Sequence, residues 1–179
     1  MRLRTKQKGF SLIELLIVVA IILIIAAIAI PNLLRARMAA NEASAVGSVR
    51  TIVTANVTFS TEYGDGFAST LAVLGGASPA TCANANLIDP VLANAITAGT
   101  AKSGYYFKYV GTTPTVPPAG CAAGWQTFYV DAVPAIIGTT GQRSFCTDQT
   151  GVIRYDPSGA LIPLDATDGG CSTAALALQ

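Results

Sequence analysis

The sequence predicts an α+β protein: one long N-terminal helix whose C-terminal half packs on a small antiparallel β-sheet. Three observations carry this. An apolar run from Phe10 to Ile30 is interrupted only by Ser11 and Glu14. An apolar stripe of helical period continues from Asn32 to about Tyr63. Beyond residue 100, short aromatic and β-branched runs follow one another with no helix pattern between them, which argues for strands joined by turns.

The apolar run comes first in the chain. Its 21 residues would span roughly 30 Å as a helix, the thickness of a bilayer's hydrocarbon core. Arg2, Arg4, Lys6 and Lys8 precede it without an acid among them, and Arg35 and Arg37 follow. The heavier basic flank belongs in the cytoplasm, so the remainder of the chain is exported. The formal net charge of the whole chain is +1, and no basic patch suggests a nucleic-acid partner.

Glu14 sits near the start of this run. An ordinary secretory signal has a shorter apolar region and no acid. A plain membrane anchor has no use for the carboxylate, which costs about 2.5–3.5 kcal/mol near a bilayer centre. A third reading gives it a partner. If the chain is cut between Gly9 and Phe10, the new amine of Phe10 lies one helical turn from Glu14. That amine, in the same chain or in a neighbour, can pair with the carboxylate.

These residues resemble a known family. "KGFSLIELLIVVAIILIIAAIAIP" is similar to the N-terminus of type IV prepilins and of type II secretion pseudopilins. The motif comprises a basic leader, a Gly-Phe junction, an acid at the fifth mature position and an apolar helix ending at proline. The resemblance covers roughly residues 6–40. It implies removal of residues 1–9 by a prepilin peptidase and N-methylation of Phe10 by the same enzyme class. It implies a membrane and filament-core helix over 10–38 and a globular head over 39–179. It also implies assembly, by a platform and a cytoplasmic ATPase, into a helical homopolymer in which Glu14 pairs with a neighbour's N-terminus. The precursor would then sit in the bacterial inner membrane, and the product in a surface filament. Two residues depart from the family pattern. Leu23 stands where many members have glycine, so loosening of the helix would rest on Pro31, which removes an amide donor. Ser11 replaces the commoner threonine.

Two other functions remain open at this point. A type II secretion pseudopilin shares the same helix, and a singly anchored exported domain that never polymerises would keep its leader.

The second half of the helix is read from its period. Ala45, Val49, Ile52, Phe59 and Tyr63 recur at helical spacing, with Val46, Val53 and Val57 beside them, an amphipathic stripe made to pack on a head. Gly64-Asp65-Gly66 ends it. "NLIDPVLANAI" (86–96) reads as a short helix started or broken at Pro90. Strands are expected at 104–110, 125–133, 143–147 and 151–155, the last two joined as a hairpin. Along 125–133, Trp125, Thr127, Tyr129 and Asp131 share one side, and Gln126, Phe128, Val130 and Ala132 the other. Residues 111–124 read as a loop by their prolines and glycines.

Four cysteines lie in the exported part, which reads as two disulfides. Three pairings are open, and the one joining neighbouring segments, Cys82–Cys121 with Cys146–Cys171, is favoured. Zinc is disfavoured because no CxxC pair and no histidine is present. Asp165 and Asp168, with Asp156 nearby, form a weak calcium candidate. The spacing is not that of an EF-hand and a polar turn explains it, so no metal and no cofactor is assigned. The sequon Asn56-Val57-Thr58 lies on the helix and is treated as chance. Without histidine, Ser-His-Asp and Cys-His catalysis is excluded, and the chain is read as a structural protein rather than an enzyme.

Overall fold

A computed structural model of the chain describes residues 9–76, 78–164, 170–172 and 175–178. The chain divides into two compact units, Met1–Ala36 and Arg37–Gln179. A single helix, α1 (Leu12–Tyr63), runs unbroken through both and contains Pro31. In the first unit every residue from Gly9 onward is exposed except the half-buried Ala26. In the second unit α1 buries Ala45, Val49, Ile52, Ala55 and Phe59, together with the polar Glu42, Ser48 and Asn56. Val57, expected beside the apolar stripe, instead points to solvent. The stripe is narrower than expected because Asn56 takes the buried place next to it.

Two one-turn helices follow. α2 (Leu71–Leu74) is capped by Thr70, whose hydroxyl accepts from the Val73 amide. α3 (Pro90–Ala93) has Pro90 in its first turn, and Asp89 as N-cap accepts from the Leu92 amide at 3.0 Å. Proline suits that position because the amide it lacks would have had no helical partner. The expected helix at 86–96 is therefore a single turn.

The sheet has five strands in the order β1 (Tyr105–Pro114), β2 (Trp125–Pro134), β3 (Ser144–Asp148), β4 (Arg154–Asp156) and β5 (Leu176–Ala177). Every neighbour pair is antiparallel. β1 runs four residues further than expected. Gly111 and Pro114 read as loop residues, yet Gly111 is where the Trp125 indole lies flat on the strand. A Cβ there would sit 1.9 Å from the indole ring. The indole N–H in turn donates to the Ser69 carbonyl at 3.0 Å. The β3–β4 connection is longer than expected because Asp148 folds it back, accepting from the Thr150 amide at 2.8 Å.

One face of the sheet packs on α1. Phe107, Phe128, Val130, Ala132 and Phe145 meet Val49, Ile52 and Phe59 in the main core. A polar hub sits within it. The Asn56 carboxamide donates to the Ile52 carbonyl at 3.1 Å and accepts from the Ala68 amide at 3.2 Å and the Tyr109 hydroxyl at 2.8 Å. Buried and fully engaged, Asn56 is closed to glycosylation in the folded head.

The opposite face is covered as well. Tyr129 and Cys146 pack with Ile162 and Cys171 in a second, smaller core. The covering segment is held by several bonds. The Tyr129 hydroxyl donates to the Ile162 carbonyl, the Ile162 amide donates to Asp131 at 2.9 Å, and the Cys171 amide donates to Asp148 at 3.1 Å.

Asp131 is fully buried under this cover. Its Oδ1 has no partner among the described residues. Burial pushes its carboxyl up from the ordinary value to about 7; nearby Asp156 adds to this, and the Ile162 amide and Lys108 offset it only in part. The unfolded chain releases this proton near pH 4, while the folded chain holds it until about pH 7. The group's contribution to stability therefore falls as pH rises through that window. Asp131→Asn should remove the fall, for a gain of up to about 4 kcal/mol at pH 7.5 and little at pH 4. Denaturant unfolding of both proteins across pH 4–8 checks this. Parallel curves would show that Asp131 stays charged in the folded head.

Candidate functional site

The N-terminal turn of α1 is built from four residues, Gly9, Phe10, Ser11 and Glu14. Because the helix starts at Leu12, Ser11 stands in the N-cap position and Glu14 in the third helical position. Glu14 Oε2 accepts from the Ser11 amide at 3.0 Å. This is the carboxylate half of a capping box, whose signature Ser-x-x-Glu is present in the sequence. Reading Glu14 only as an acid awaiting a cleavage product missed this second role. The helix N-terminus also favours a negative charge by its dipole. The acid that is out of place in an apolar run thus satisfies an amide that would otherwise lack a partner.

Gly9 and Phe10 precede the helix. Both are exposed, and Phe10 exposes three-quarters of its surface. A Cβ added at Gly9 would meet nothing within 4 Å. Among the described residues none therefore places a steric demand on Gly9.

Downstream, Leu15 to Pro31 present an unbroken apolar surface, with no residue of the helix buried before Glu42. Among the described residues, α1 is one helix long and apolar enough to cross a membrane. Pro31 lies inside it. Its ring nitrogen cannot donate to the Ala27 carbonyl one turn back, so the backbone loses a bond there without ending the helix.

In the second unit the cysteines are paired as Cys82–Cys121 and Cys146–Cys171, with Cα separations of 5.6 and 5.8 Å. The second bond ties the centre of the sheet to its outer cover. Asp165 and Asp168, the calcium candidates, lie outside the described residues. Among the described residues no group of three or more potential metal ligands gathers.

A further residue of α1 was missed in the sequence. Glu42 is buried and gathers the start of β3. Its Oε1 accepts from the Gln142 and Arg143 amides at 2.9 and 3.2 Å. Its Oε2 takes Arg143 Nε at 2.8 Å and a second guanidinium nitrogen at 2.7 Å. Arg143 also lies over the Phe145 and Tyr155 rings, 5.4 Å from each centroid. An isolated acid on an amphipathic helix carries no sequence signal for such a partner a hundred residues away.

Together the fold and its N-terminus define a class: a protein with one long N-terminal helix, bare and apolar in its first half, continuing into a disulfide-bonded antiparallel α+β head. Residues 4–30 match the prokaryotic N-terminal methylation motif. The type IV wide pilus major component PilA4 of Thermus thermophilus is 71% identical over 35 residues, which is 20% of this chain and 27% of that protein. The type IV major pilin protein PilA of Myxococcus xanthus is 43% identical over 61 residues, which is 34% of this chain and 28% of that protein. Over this N-terminal segment the chain is similar to type IV pilins. The matches span little more than a quarter of the length of either relative. No solved structure matches the chain.

Proposed function

We propose that this chain is the precursor of a structural subunit of a type IV pilus-like surface filament. The observation that carries the reading is the bare apolar half of α1 beginning at a capped acid, beside an exposed Gly9–Phe10 bond. Residues 1–9 are a leader that a membrane prepilin peptidase removes. The amine of Phe10 is then methylated and keeps its positive charge. Residues 10–38 hold the precursor in the inner membrane with its leader in the cytoplasm, and the head over 39–179 folds outside. An assembly platform and its ATPase then transfer the helix from lipid to a bundle of its copies.

Little hydrophobic energy is gained in that transfer, since lipid tails and apolar side chains are equally dry. Packing and polar pairs therefore decide the geometry. Before cleavage Glu14 spends one oxygen on its own helix cap. Cleavage creates an ammonium next to it, with an ordinary pKa near 8, so the amine is charged at neutral pH. The second carboxylate oxygen can take the ammonium of a neighbouring subunit and fix the axial register. Pro31, with its missing backbone bond, is where the helix yields most easily when packed.

Gly9→Val tests the first step. Because no described residue crowds that position, the variant should fold and insert normally yet remain unprocessed, losing nearly all filaments. Sequencing of its N-terminus should find the leader in place. A variant that still begins at Phe10 would remove the assigned cleavage site.

A further inference from the structure

The two disulfides of the head differ in access. Cys146 and Cys171 are 0% and 4% exposed, and they lie in the smaller core with Tyr129 and Ile162. Cys82 and Cys121 are each half-buried, and their chain neighbours Thr81, Ala83, Gly120 and Ala122 are exposed. Thiol–disulfide exchange begins when a thiolate reaches a sulfur, so access decides which bond is attacked first. To reach Cys146–Cys171 the outer cover must lift, a local opening that is rare in a packed core. Cys82–Cys121 meets solvent in the folded head.

The two bonds also hold different things. Cys146–Cys171 ties the centre of the sheet to its cover, whereas Cys121 lies in the β1–β2 connection, residues 115–124. The base of that connection is fixed without the disulfide. The Thr115 amide donates to the Gly124 carbonyl at 3.0 Å, the Gly124 amide donates to the Thr115 hydroxyl at 2.9 Å, and that hydroxyl donates to the Asp65 carboxylate at 2.6 Å. From Val116 to Ala123 the one backbone bond among the described residues is internal, from the Cys121 amide to the Pro118 carbonyl at 3.1 Å. The Gly120 carbonyl lies 3.7 Å from the Cys82 sulfur, but a disulfide sulfur has no proton to donate. No hydrogen bond or ion pair among the described residues therefore joins 116–123 to the rest of the head, and the bond to Cys82 is its tether. Cys82 itself is well anchored. Thr81 and Asn84 exchange backbone bonds, and the Ala85 amide donates to the Val73 carbonyl of α2 at 2.8 Å.

We propose that Cys82–Cys121 is a thiol-exchange site: a low-molecular-weight thiol opens it while Cys146–Cys171 stays closed, releasing residues 116–123 without unfolding the sheet. The thiolate attacks one sulfur and forms a mixed disulfide with it. The S–S bond breaks, its electron pair leaves on the other cysteine, and that cysteine takes a proton. A second thiol then displaces the first. Two small thiols are oxidised to one disulfide, and the protein disulfide is reduced to two thiols. Nothing in this exchange depends on filament assembly.

The full chain in detergent micelles is incubated with reduced glutathione at about pH 8, close to the ordinary thiol pKa. Samples are alkylated with iodoacetamide over time and digested with trypsin. Cleavage at Arg50, Lys102, Lys108, Arg143 and Arg154 places the four cysteines on four separate peptides. Cys82 and Cys121 should become alkylated or glutathione-bound at least about tenfold faster than Cys146 and Cys171. Equal rates for the two pairs, or faster opening of Cys146–Cys171, overturn the assignment.

Release of the loop is read with elastase, which cuts after small residues such as Ala119 and Ala122. Glutathione should speed cutting within 116–123 by about tenfold while the near-ultraviolet circular dichroism of the head persists. The double variant Cys82→Ser, Cys121→Ser should be cut as fast with no glutathione present. A double variant that resists elastase as the oxidised chain does overturns the release. Loss of the near-ultraviolet signal when Cys82–Cys121 alone is open also overturns it, because the head then unfolds as a whole.

Discussion

Glu14→Ala is expected to leave the leader cut and the helix inserted, while filament yield collapses. On the proposed function the carboxylate has two jobs, and the alanine removes both. Its cap on the Ser11 amide contributes about 1 kcal/mol to the start of the helix. The proposed pair with a neighbour's Phe10 amine would act across packed helices, where polar contacts are worth about 1–2 kcal/mol. Each 1.4 kcal/mol is tenfold in a binding constant. A loss of that size at every added subunit raises the concentration needed for growth by roughly tenfold. Glu14→Gln separates the two jobs. Glutamine keeps an oxygen for the Ser11 amide but loses the charge, so the helix should start normally and assembly should still fail. Filaments at normal yield from the glutamine variant would mean that Glu14 matters as a cap and not as half of an ion pair.

Glu42→Ala should be the most damaging single change in the head. Two backbone amides and the Arg143 guanidinium lose their acceptor together. Leaving the two amides without their acceptor costs about 1–3 kcal/mol each, whereas Arg143, with 39% of its side chain open to solvent, adds little. For a chain of this size that lowers the melting temperature by roughly 10 °C. The β2–β3 loop should loosen first, since its tie to α1 runs through Asn41 and Glu42. Thermal unfolding followed by near-ultraviolet circular dichroism measures the loss. A shift within a degree or two would show that the two amides find compensation in water.

Much of this was legible in the sequence because it is periodic or local. The helix from 12 to 63 follows from an apolar run and then a stripe, and β2 from strict alternation. The cysteine pairing joined neighbouring segments as expected. What was not legible depends on partners far away in the chain. Tyr129 and Asp131 alternate as an outer face should, yet they are buried by Ile162 and Cys171, whose local sequence shows no pattern that aims them there. Gly111 reads as a loop breaker until the indole of Trp125 is laid against it. α2 and β5 are too short for any period to register. At the candidate site the Gly9–Phe10 junction, proposed for cleavage, and the acid stood out by their oddity beside and within an apolar run. The capping bond to Ser11 did not, although Ser-x-x-Glu announces it, because a more unusual role for Glu14 drew the reading first.

The central claim is that Glu14 finds its assembly partner only after the Gly9–Phe10 bond is cut. Mass spectrometry of the N-terminal peptide, from surface material sheared off and imaged by electron microscopy, tests it most directly. Filaments should be present, and their subunit should begin at Phe10 with a single methyl group on its amine. Filaments built from subunits that still carry residues 1–9 would contradict the claim, because the ammonium assigned to Glu14 would then never have existed.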